Sequence, residues 1–488
     1  MPRAALLTLL AALVITLSAP GCMPRRRGDV SPDGRTFYFS MFVPGETDQA
    51  DKTDKTFGSA IFALDVETGR LKALTDGLGV NYWCSLSPDG KYLAYMGAVG
   101  EATSVMDFEN GVSIPLTGVL DGYAFPRLIQ ATGDEKVIGL LVMARGGGKG
   151  EGNHWAVLRP GGVVPLPDLE GFEAGEGEVA TLSGGFVVPV HRLTSAPDAA
   201  KGEPKKHESA LFAVNVYEYL KATKPDAPKS ESPPAPPKAV LLAKWAGEGD
   251  RAPVIDLTLS SDREDGRFVA AVPGMGQSKD STQFFEIFTP EKGPPKFLFE
   301  DSKARRPQWT PDGKAIVYLR VNTVNNNWQD VVLWQPEAKE PVVLARLPGK
   351  STTHDEDCIT MWRWLPDGRL RIYSVENNDG IRLVETAADG KGAKARRLNR
   401  DRLGLQVYLA LTDRAMHSVP PLGKVLADPL NDKTKPAVEA AVAAAKSFDE
   451  AREKLWQLAD DWEEVPAIPD VPPPPPPPPP KAPKPPAT

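Results

Sequence analysis

One short stretch of the chain gathers side chains that could do chemistry. His354, Asp355, Glu356 and Asp357 follow one another, and Cys358 comes next. Imidazole and carboxylate groups are ligands for divalent cations. The stretch lacks a fixed ligand spacing, and a run of acids is equally typical of a solvated loop. We therefore expect either a metal or ligand loop or a plain acidic loop here, and no other cofactor.

Other kinds of catalytic chemistry have little support in the sequence. There is no Gly-x-Ser-x-Gly nucleophile elbow, and too little chain follows residue 412 for an α/β-hydrolase domain, so a peptidase is not expected. The glycine-rich residues 146–150 lack the spacing of a phosphate-binding loop. A net charge of −7, from 57 Lys and Arg against 64 Asp and Glu, argues against a nucleic-acid partner.

The N-terminal residues indicate export. An apolar run over residues 4–17 is followed by small residues and then by Cys22. The run is short for a membrane span, and it resembles a bacterial lipoprotein signal. The resemblance implies that residues 1–21 are a signal peptide that is cleaved off, so that Cys22 becomes the lipid-carrying N-terminus. Residues 22–30 would then form a short linker. We expect a protein on the periplasmic face of a membrane; the alternatives are a soluble periplasmic protein and an uncleaved anchor.

A repeated turn indicates where the strands that must position any site begin. Its aspartate can bond its own backbone, its glycine accepts positive φ, and its proline fixes φ. Each copy leads into a strand-like run of β-branched and aromatic residues. The turn residues that we single out are Asp33 and Gly34, Asp89 and Gly90, Asp312 and Gly313, and Asp367 and Gly368.

The spacing of the turns predicts a β-propeller. The first two copies are 56 residues apart, from Ser31 to Ser87, and the last two are 55 apart, from Thr310 to Leu365. Such a period without intervening helices is typical of propeller blades. Weaker copies start near residues 133, 182 and 261. The fold class is therefore all-β with seven blades over residues 31–412; six or eight blades are the alternatives.

The first unit shows the expected blade order and suggests how the ring closes. We expect its strands at residues 36–43, 59–66 and 71–74, with no strand before the turn. An apolar run at residues 405–411 follows the last unit and has no turn after it. We therefore expect this late strand to complete the first blade and to close the ring.

Two further features belong to the predicted ring. Residues 194–207 and 221–238 are rich in Pro, Lys, Ala and Ser, so we expect them as exposed loops in the fourth blade. Cys84 and Cys358 fall in inner strands of the second and seventh blades. Because these blades are not neighbours, the two thiols are expected to be free and buried rather than joined.

The C-terminal part changes character after the ring. Apolar residues at helical spacing predict one helix over residues 436–464. Residues 465–488 are low in complexity and contain nine consecutive prolines, residues 472–480, which favour an extended polyproline II tail. The apolar stripe of the helix must pack on the propeller itself or on another protein.

The repeats resemble a known family. The phrases at residues 306–314 and 83–91 look like the TolB-type, WD-like propeller repeat. The resemblance implies a propeller but leaves function open, because that family holds periplasmic adaptors and also the propeller halves of peptidases. We expect a non-enzymatic envelope scaffold that contacts envelope proteins through the channel mouth or the C-terminal arm, and the membrane through its lipid. The alternatives are a propeller lyase or hydrolase and a spacer between membrane and cell wall.

Overall fold

The computed structural model describes most of the chain after residue 27. The described residues are 28–43, 58–75, 82–87, 89–96, 104–115, 123–130, 137–144, 153–159, 162–175, 179–182, 185–194, 206–222, 237–248, 255–259, 267–274, 280–288, 293–350, 358–376, 380–414 and 434–471. Cys22, the stretch at residues 354–357 and the proline run lie outside them.

Seven antiparallel sheets form the seven blades, so the predicted fold class and blade count are confirmed. Blades 1 to 3 are β1 Gly28–Val30, β2 Thr36–Val43, β3 Gly58–Asp65 and β4 Leu71–Ala73; β5 Tyr82–Leu86, β6 Tyr92–Met96, β7 Ser104–Asp107 and β8 Val112–Pro115; and β9 Tyr123–Gln130, β10 Val137–Ala144, β11 His154–Arg159 and β12 Gly162–Pro165.

Blade 4 differs from the others because its first strand is divided into two pieces. Blades 4 and 5 are β13 Glu173–Ala174, β14 Ala180–Leu182, β15 Gly185–Leu193, β16 Lys206–Asn215 and β17 Lys238–Glu248; and β18 Asp256–Leu259, β19 Phe268–Pro273, β20 Ser281–Ile287 and β21 Lys296–Ser302. The predicted proline-rich insertions, residues 194–207 and 221–238, lie mostly outside the described residues. At their ends, Lys206 and His207 belong to β16 and Lys238 belongs to β17.

Blade 7 gains a fifth strand from the C-terminal part of the chain. Blades 6 and 7 are β22 Ala304–Trp309, β23 Ile316–Val321, β24 Trp328–Trp334 and β25 Val342–Pro348; and β26 Ile359–Trp364, β27 Leu370–Val375, β28 Gly380–Thr386, β29 Lys394–Asn399 and β30 Glu463–Val465.

The first strands of the blades lie at the centre of the ring. Strand β1 contacts both β5 and β26, β5 contacts β9, and β18 contacts β14 and β22. Every first strand runs into the turn that joins it to the second strand, so these turns share one end of the ring, which we call the turn face. The connections from blade to blade and from second to third strand lie at the other end, the connection face.

The hydrophobic core is divided among the interfaces between blades. The largest cluster lies between blades 1 and 7, where the rings of Phe37 and Tyr373 are 5.0 Å apart. Alternate residues of each strand face opposite neighbours, as the two-residue period requires. In β23, for example, Val317 packs towards blade 7 and Tyr318 towards blade 5.

Within the described residues, four helices accompany the blades. They are α1 Tyr217–Ala222, α2 Arg400–Arg414, α3 Thr434–Ala443 and α4 Phe448–Ala459. None of them has the length and apolar character that a bilayer span requires within the described residues.

The expected ring closure is wrong. Residues 405–411 belong to α2, and the inner strand of blade 1 is β1, which begins inside the predicted linker 22–30. The ring closes because β1 packs against β26. The fourth strand of blade 7 ends at Asn399, and helix α2 follows it directly. The misreading has a physical cause: α2 is buried on two sides, so its apolar residues form a continuous run that suits either a strand or a helix.

The single helix expected over residues 436–464 is divided. Helix α3 ends at Ala443, and Ser447 starts α4 by accepting a hydrogen bond at its hydroxyl from the backbone N–H of Glu450. Glu464 lies in β30, not in a helix. The expectation of two buried cysteines is confirmed, because Cys84 and Cys358 are buried and form no disulfide.

Candidate functional site

The repeated turns are built alike where their first residue carries a hydroxyl. The Thr310 hydroxyl donates to Asp312 at 2.6 Å and accepts from the Ala315 N–H at 3.0 Å. The Ser31 hydroxyl likewise donates to the Asp33 carboxylate at 2.6 Å. In the turn at Asp367 the hydroxyl is replaced by Leu365, and the Arg369 guanidinium bonds the carboxylate at 2.8 Å instead. The aspartates thus hold turns together.

These bonds shift the acidity of the turn aspartates. The Thr310 hydroxyl and then the Lys314 amide lower the pKa of Asp312. Burial raises the pKa of Asp33, but the bonds from Ser31 and from the Arg35 amide outweigh it, so that pKa is also lowered. In both turns the folded protein favours the charged carboxylate.

The turn glycines also touch the preceding blade. Gly34 has φ +70, and a Cβ there would lie 2.5 Å from Cδ2 of Leu365. A Cβ on Gly313 would lie 2.4 Å from the Arg267 guanidinium, whereas Gly368 has open space around it. At Gly34 and Gly313 the glycine therefore serves both the positive φ and the close approach of blades.

Around the inner strand of blade 6, a polar network joins blades 6 and 7. Lys303 and Arg306 have positive φ values of 47 and 54, which are rare for residues with side chains. The Arg306 guanidinium donates to the Thr360 carbonyl at 2.6 Å, and Gln329 donates to the Thr360 hydroxyl at 2.7 Å. Arg305 donates to the Gln329 amide oxygen at 3.4 Å.

Of the stretch that the sequence singled out, the structure describes its end at Cys358. Cys358 donates its backbone N–H to the Gly349 carbonyl at 3.2 Å, which places both ends of the connection near the connection face. His354, Asp355, Glu356 and Asp357 lie outside the described residues, so the metal or ligand loop stays a prediction. Among the residues that are described, no group of three or more His, Cys, Asp or Glu side chains could hold a metal ion.

A second polar centre fixes the C-terminal helices to blade 1. The side chain of Gln406 in α2 is fully buried and donates to the carbonyls of Gly69 at 2.9 Å and Ala459 at 3.1 Å. Its amide oxygen accepts from the Leu71 N–H at 3.1 Å. One side chain thus joins α2, the outer edge of blade 1 and the end of α4.

The residues after α4 extend this attachment around the rim. Arg70 of blade 1 bonds Asp460 at 2.7 Å, and the Trp462 indole donates to the Gly69 carbonyl at 3.3 Å. The Arg396 guanidinium lies 5.0 Å from the centre of the Trp462 ring, a cation–π distance. Strand β30 then pairs with β29, which covers the outer edge of blade 7.

The chain next crosses to blade 6. The Arg346 N–H donates to the Ala467 carbonyl at 2.9 Å, and its guanidinium donates to the Pro469 carbonyl at 3.3 Å. Ala467 is buried against the core between blades 6 and 7. The described chain reaches Val471, directly before the proline run. We name residues 460–471 the rim segment.

Sequence reasoning missed the rim segment and its anchors. Gln406 stands in an apolar run, and Arg346 is one of many charged strand residues, so neither has a local signal. Trp462 was expected on a helical stripe, and its partners Gly69 and Arg396 are 393 and 66 positions away. Such contacts depend on the assembled ring.

Comparisons with known proteins give likenesses of low sequence identity to solved structures. No family model matches the chain, and no curated protein matches it either. Among solved structures, TolB from Acinetobacter baumannii is 13% identical, with 74% of this chain and 63% of TolB covered and a TM-score of 0.37. The chain therefore spans less than two thirds of TolB.

Other similar solved structures come from enzymes. Oligogalacturonate lyase from Vibrio parahaemolyticus is 11% identical over 60% of this chain and 73% of the lyase, with a TM-score of 0.38. The β-propeller domain of the Trilobed protease from Pyrococcus furiosus, described as having an open velcro topology, is 9% identical over 74% and 94%, with a TM-score of 0.41. Likenesses this distant say nothing about activity.

Proposed function

We propose that the protein is a non-enzymatic interaction scaffold of a bacterial cell envelope, in which a propeller presents a proline-rich arm to other proteins. The observation that carries this proposal is the attachment of the rim segment. Strand β30 and the bonds of Arg346 fix the chain up to Pro469 on blades 7 and 6. The proline run that starts at residue 472 therefore leaves from one defined place on the ring.

The chemistry of the arm suggests its kind of partner. Consecutive prolines favour polyproline II, which loses little entropy when it binds. Grooves lined with aromatic side chains recognise such segments. Because the arm starts from a rigid ring, a partner bound to it would be held near blade 6. We infer a protein partner with an aromatic groove.

Cross-linking in the native cell tests the arm. A photoreactive residue in place of Ala482 should capture a small set of proteins, and an equal-length Gly/Ser replacement of residues 472–480 should lose them. The same photoreactive residue in place of the exposed Lys314, on the turn face, is the control and should capture a different set. Capture that is unchanged by the Gly/Ser replacement would count against the proposal.

Anchoring at Cys22 is the second part of the proposal. An exported lipid-anchored propeller would hold its partners at the membrane, and the signal-like residues 1–21 support this location. Cys22→Ala should move the protein from the membrane fraction to the soluble fraction of the envelope. Unchanged partitioning would exclude the lipid anchor and leave the arm to be judged by the cross-linking alone.

A further inference from the structure

The rim segment lies against the ring up to its last residue. Alternate residues are buried or half-buried, namely Val465, Ala467, Pro469 and Val471, and the three between them are exposed. A two-residue period is that of an extended chain with one side on a surface. The proline run that follows Val471 therefore begins on the ring.

The rim segment also crosses from one side of blade 6 to the other. Ala467 packs in the core between blades 6 and 7. The Arg346 guanidinium, which donates to the Pro469 carbonyl, pairs with Asp330 at 2.8 Å. Asp330 lies on the same face of β24 as Val332, which packs in the core between blades 5 and 6. The chain therefore runs around the rim from blade 7 over blade 6 towards blade 5.

A stack of aromatic rings reaches the surface between blades 5 and 6. The ring centres of Phe284 and Phe299 in blade 5 are 4.2 Å apart, and those of Phe299 and Trp334 in blade 6 are also 4.2 Å apart. Phe284 is fully buried, whereas Phe299, on the outer strand β21, and Trp334 are half-buried. The stack thus runs from the core to the rim. We name Phe299 and Trp334 the aromatic patch.

The proline run is long enough to cover this patch. Along β24, Trp334 lies four residues beyond Asp330, a distance of about 13 Å. The nine prolines begin three residues after Pro469 and extend over about 28 Å in polyproline II. The run therefore reaches the patch from the place where it leaves blade 6.

We propose that the proline run, residues 472–480, docks on the aromatic patch of its own chain. Pyrrolidine rings pack on aromatic faces, and a polyproline II segment loses little entropy when it binds in this way. The attached rim segment keeps the run at an effective concentration of about a millimolar, so even a weak site retains it.

The consequence of this docking rests on the proposed scaffold function. A partner that binds the arm must first displace it from the aromatic patch. The patch would therefore restrict the arm to partners whose grooves bind the proline run more tightly than the ring does.

Photocross-linking of the purified full chain tests the docking. A photoreactive residue in place of Lys296, which is exposed on β21 three residues before Phe299, should join mainly to residues 472–488 of the same chain. The same residue in place of Lys72, exposed on the outer strand of blade 1, is the control and should give no such product. Cross-linking is preferred to thermal unfolding, because one such contact changes the midpoint of a ring this large by no more than about 1 °C.

Two substitutions show whether the patch itself holds the arm. Trp334→Leu should lower the yield of the tail product about fivefold, the order expected for the loss of one aromatic contact. Phe108→Leu, which removes a half-buried ring in blade 2, is the matched control and should leave the yield unchanged.

Competition covers the case in which Trp334→Leu fails to fold. In the protein that keeps Trp334, free decaproline at several millimolar should become cross-linked itself and lower the tail product by about half or more. A Gly/Ser peptide of equal length should have no effect. Products between two chains, an equally strong tail product from Lys72, or a tail product that neither Trp334→Leu nor decaproline lowers would each overturn the proposal.

Failure of this docking and failure of the scaffold function give different results. The cross-links from Lys296 form in purified protein without any partner, whereas capture from residue 482 is measured in the cell. Capture without a tail product would contradict the docking and leave a scaffold whose arm is not held by the ring. A tail product without capture would support the docking and contradict the scaffold function.

Discussion

In the turn of blade 6, the Asp312 carboxylate accepts the Thr310 hydroxyl and the Lys314 N–H, and both bonds lower its pKa. A carboxylate with a lowered folded pKa contributes stability above its unfolded pKa and loses it as the pH falls through the folded value. That contribution is therefore present at neutral pH and disappears below about pH 4. Because Asp312 is exposed, its effect is small for one turn.

Asp312→Asn tests this acid dependence. The amide keeps an acceptor oxygen but has no charge to lose, so the free energy of unfolding should fall less between pH 6 and pH 3 than it does in the unaltered protein. Glu337→Gln, an exposed site on the same blade, is the control and should follow the unaltered protein. Urea titrations at several pH values measure the difference, and equal slopes for all three proteins would refute it.

Gln406 is the residue on which the attachment of the C-terminal helices depends most. Gln406→Met keeps the side-chain volume but leaves the Leu71 N–H and the Ala459 carbonyl without their partner. The Gly69 carbonyl keeps its hydrogen bond from the Trp462 indole. Each buried polar group left unsatisfied costs about 1–3 kcal/mol. We expect a loss of about 2–5 kcal/mol in unfolding free energy, against less than about 0.5 kcal/mol for the exposed control Gln335→Met.

A loss no larger than that of the control would mean that the helices are held mainly by apolar contact. Leu405 and Leu409 of α2 pack with Leu455 and Trp456 of α4 in the cluster that would then carry the attachment. Double substitution with Arg70→Met would separate the two cases. If the losses in unfolding free energy of the two single variants are not additive in the double variant, the polar contacts hold the helices. Such coupling is expected because Arg70 and Gln406 both contact the end of α4.

At the scale of elements, the local patterns predict what local physics decides. Strand β2 occupies residues 36–43 as expected from its alternation, and the turn before it follows from the conformations of Pro, Asp and Gly. The local pattern does not predict helix α2, because burial on two sides removes the polar face by which an amphipathic helix is recognised. Strand β30 could not be predicted either, because three residues are too few to show the alternation of polar and apolar residues that marks a strand.

The same limit explains which part of the candidate site the sequence predicts. The acidic stretch and the proline run are readable because each is a run of neighbouring residues. The network of Arg306, Gln329 and Thr360, by contrast, joins residues that are up to 54 positions apart. Its members become a group only when blades 6 and 7 are stacked, and no spacing in the chain encodes that.

The rim segment is the element whose contribution can be measured by truncation. Removing residues 472–488 should leave the unfolding midpoint within about 1 °C, because the described contacts end before them. Removing residues 461–488 should lower it by several degrees, because Trp462, β30 and buried Ala467 are lost together. Equal midpoints for the two truncations would mean that the rim segment does not stabilise the ring and cannot fix the arm.

At the scale of the whole molecule, the ring closes without exchange of strands between the first and last blades. Strand β1 packs on β26, and Gly34 is the contact point: its carbonyl accepts from Arg371 and from the Tyr373 hydroxyl, each at 2.6 Å. Burial raises the pKa of Tyr373 to about 12, so the hydroxyl keeps its proton and donates. Helix α2 spans the same joint from outside by contacting β4, β28 and β29.

Gly34 and Gly368 provide a matched test of this closure, because they occupy the same position in two turns. Both have positive φ, so alanine costs about 1–2 kcal/mol of backbone strain at either site. Only at Gly34 would the new Cβ also collide with another blade, 2.5 Å from Leu365, whereas Gly368 has open space. Gly34→Ala should therefore destabilise the protein by about 1–3 kcal/mol more than Gly368→Ala, a typical cost of overpacking.

Hydrogen exchange shows where the extra loss acts. If the joint between blades 1 and 7 is the place where the ring opens, amides of β1 and β26 should exchange faster in Gly34→Ala than in Gly368→Ala, while amides of β10 in blade 3 should not differ. A uniform increase over all blades would instead indicate that the ring unfolds as one unit. In that case β1 and β26 would be no weaker than any other joint, and helix α2 would be the reason, because it holds both blades from outside.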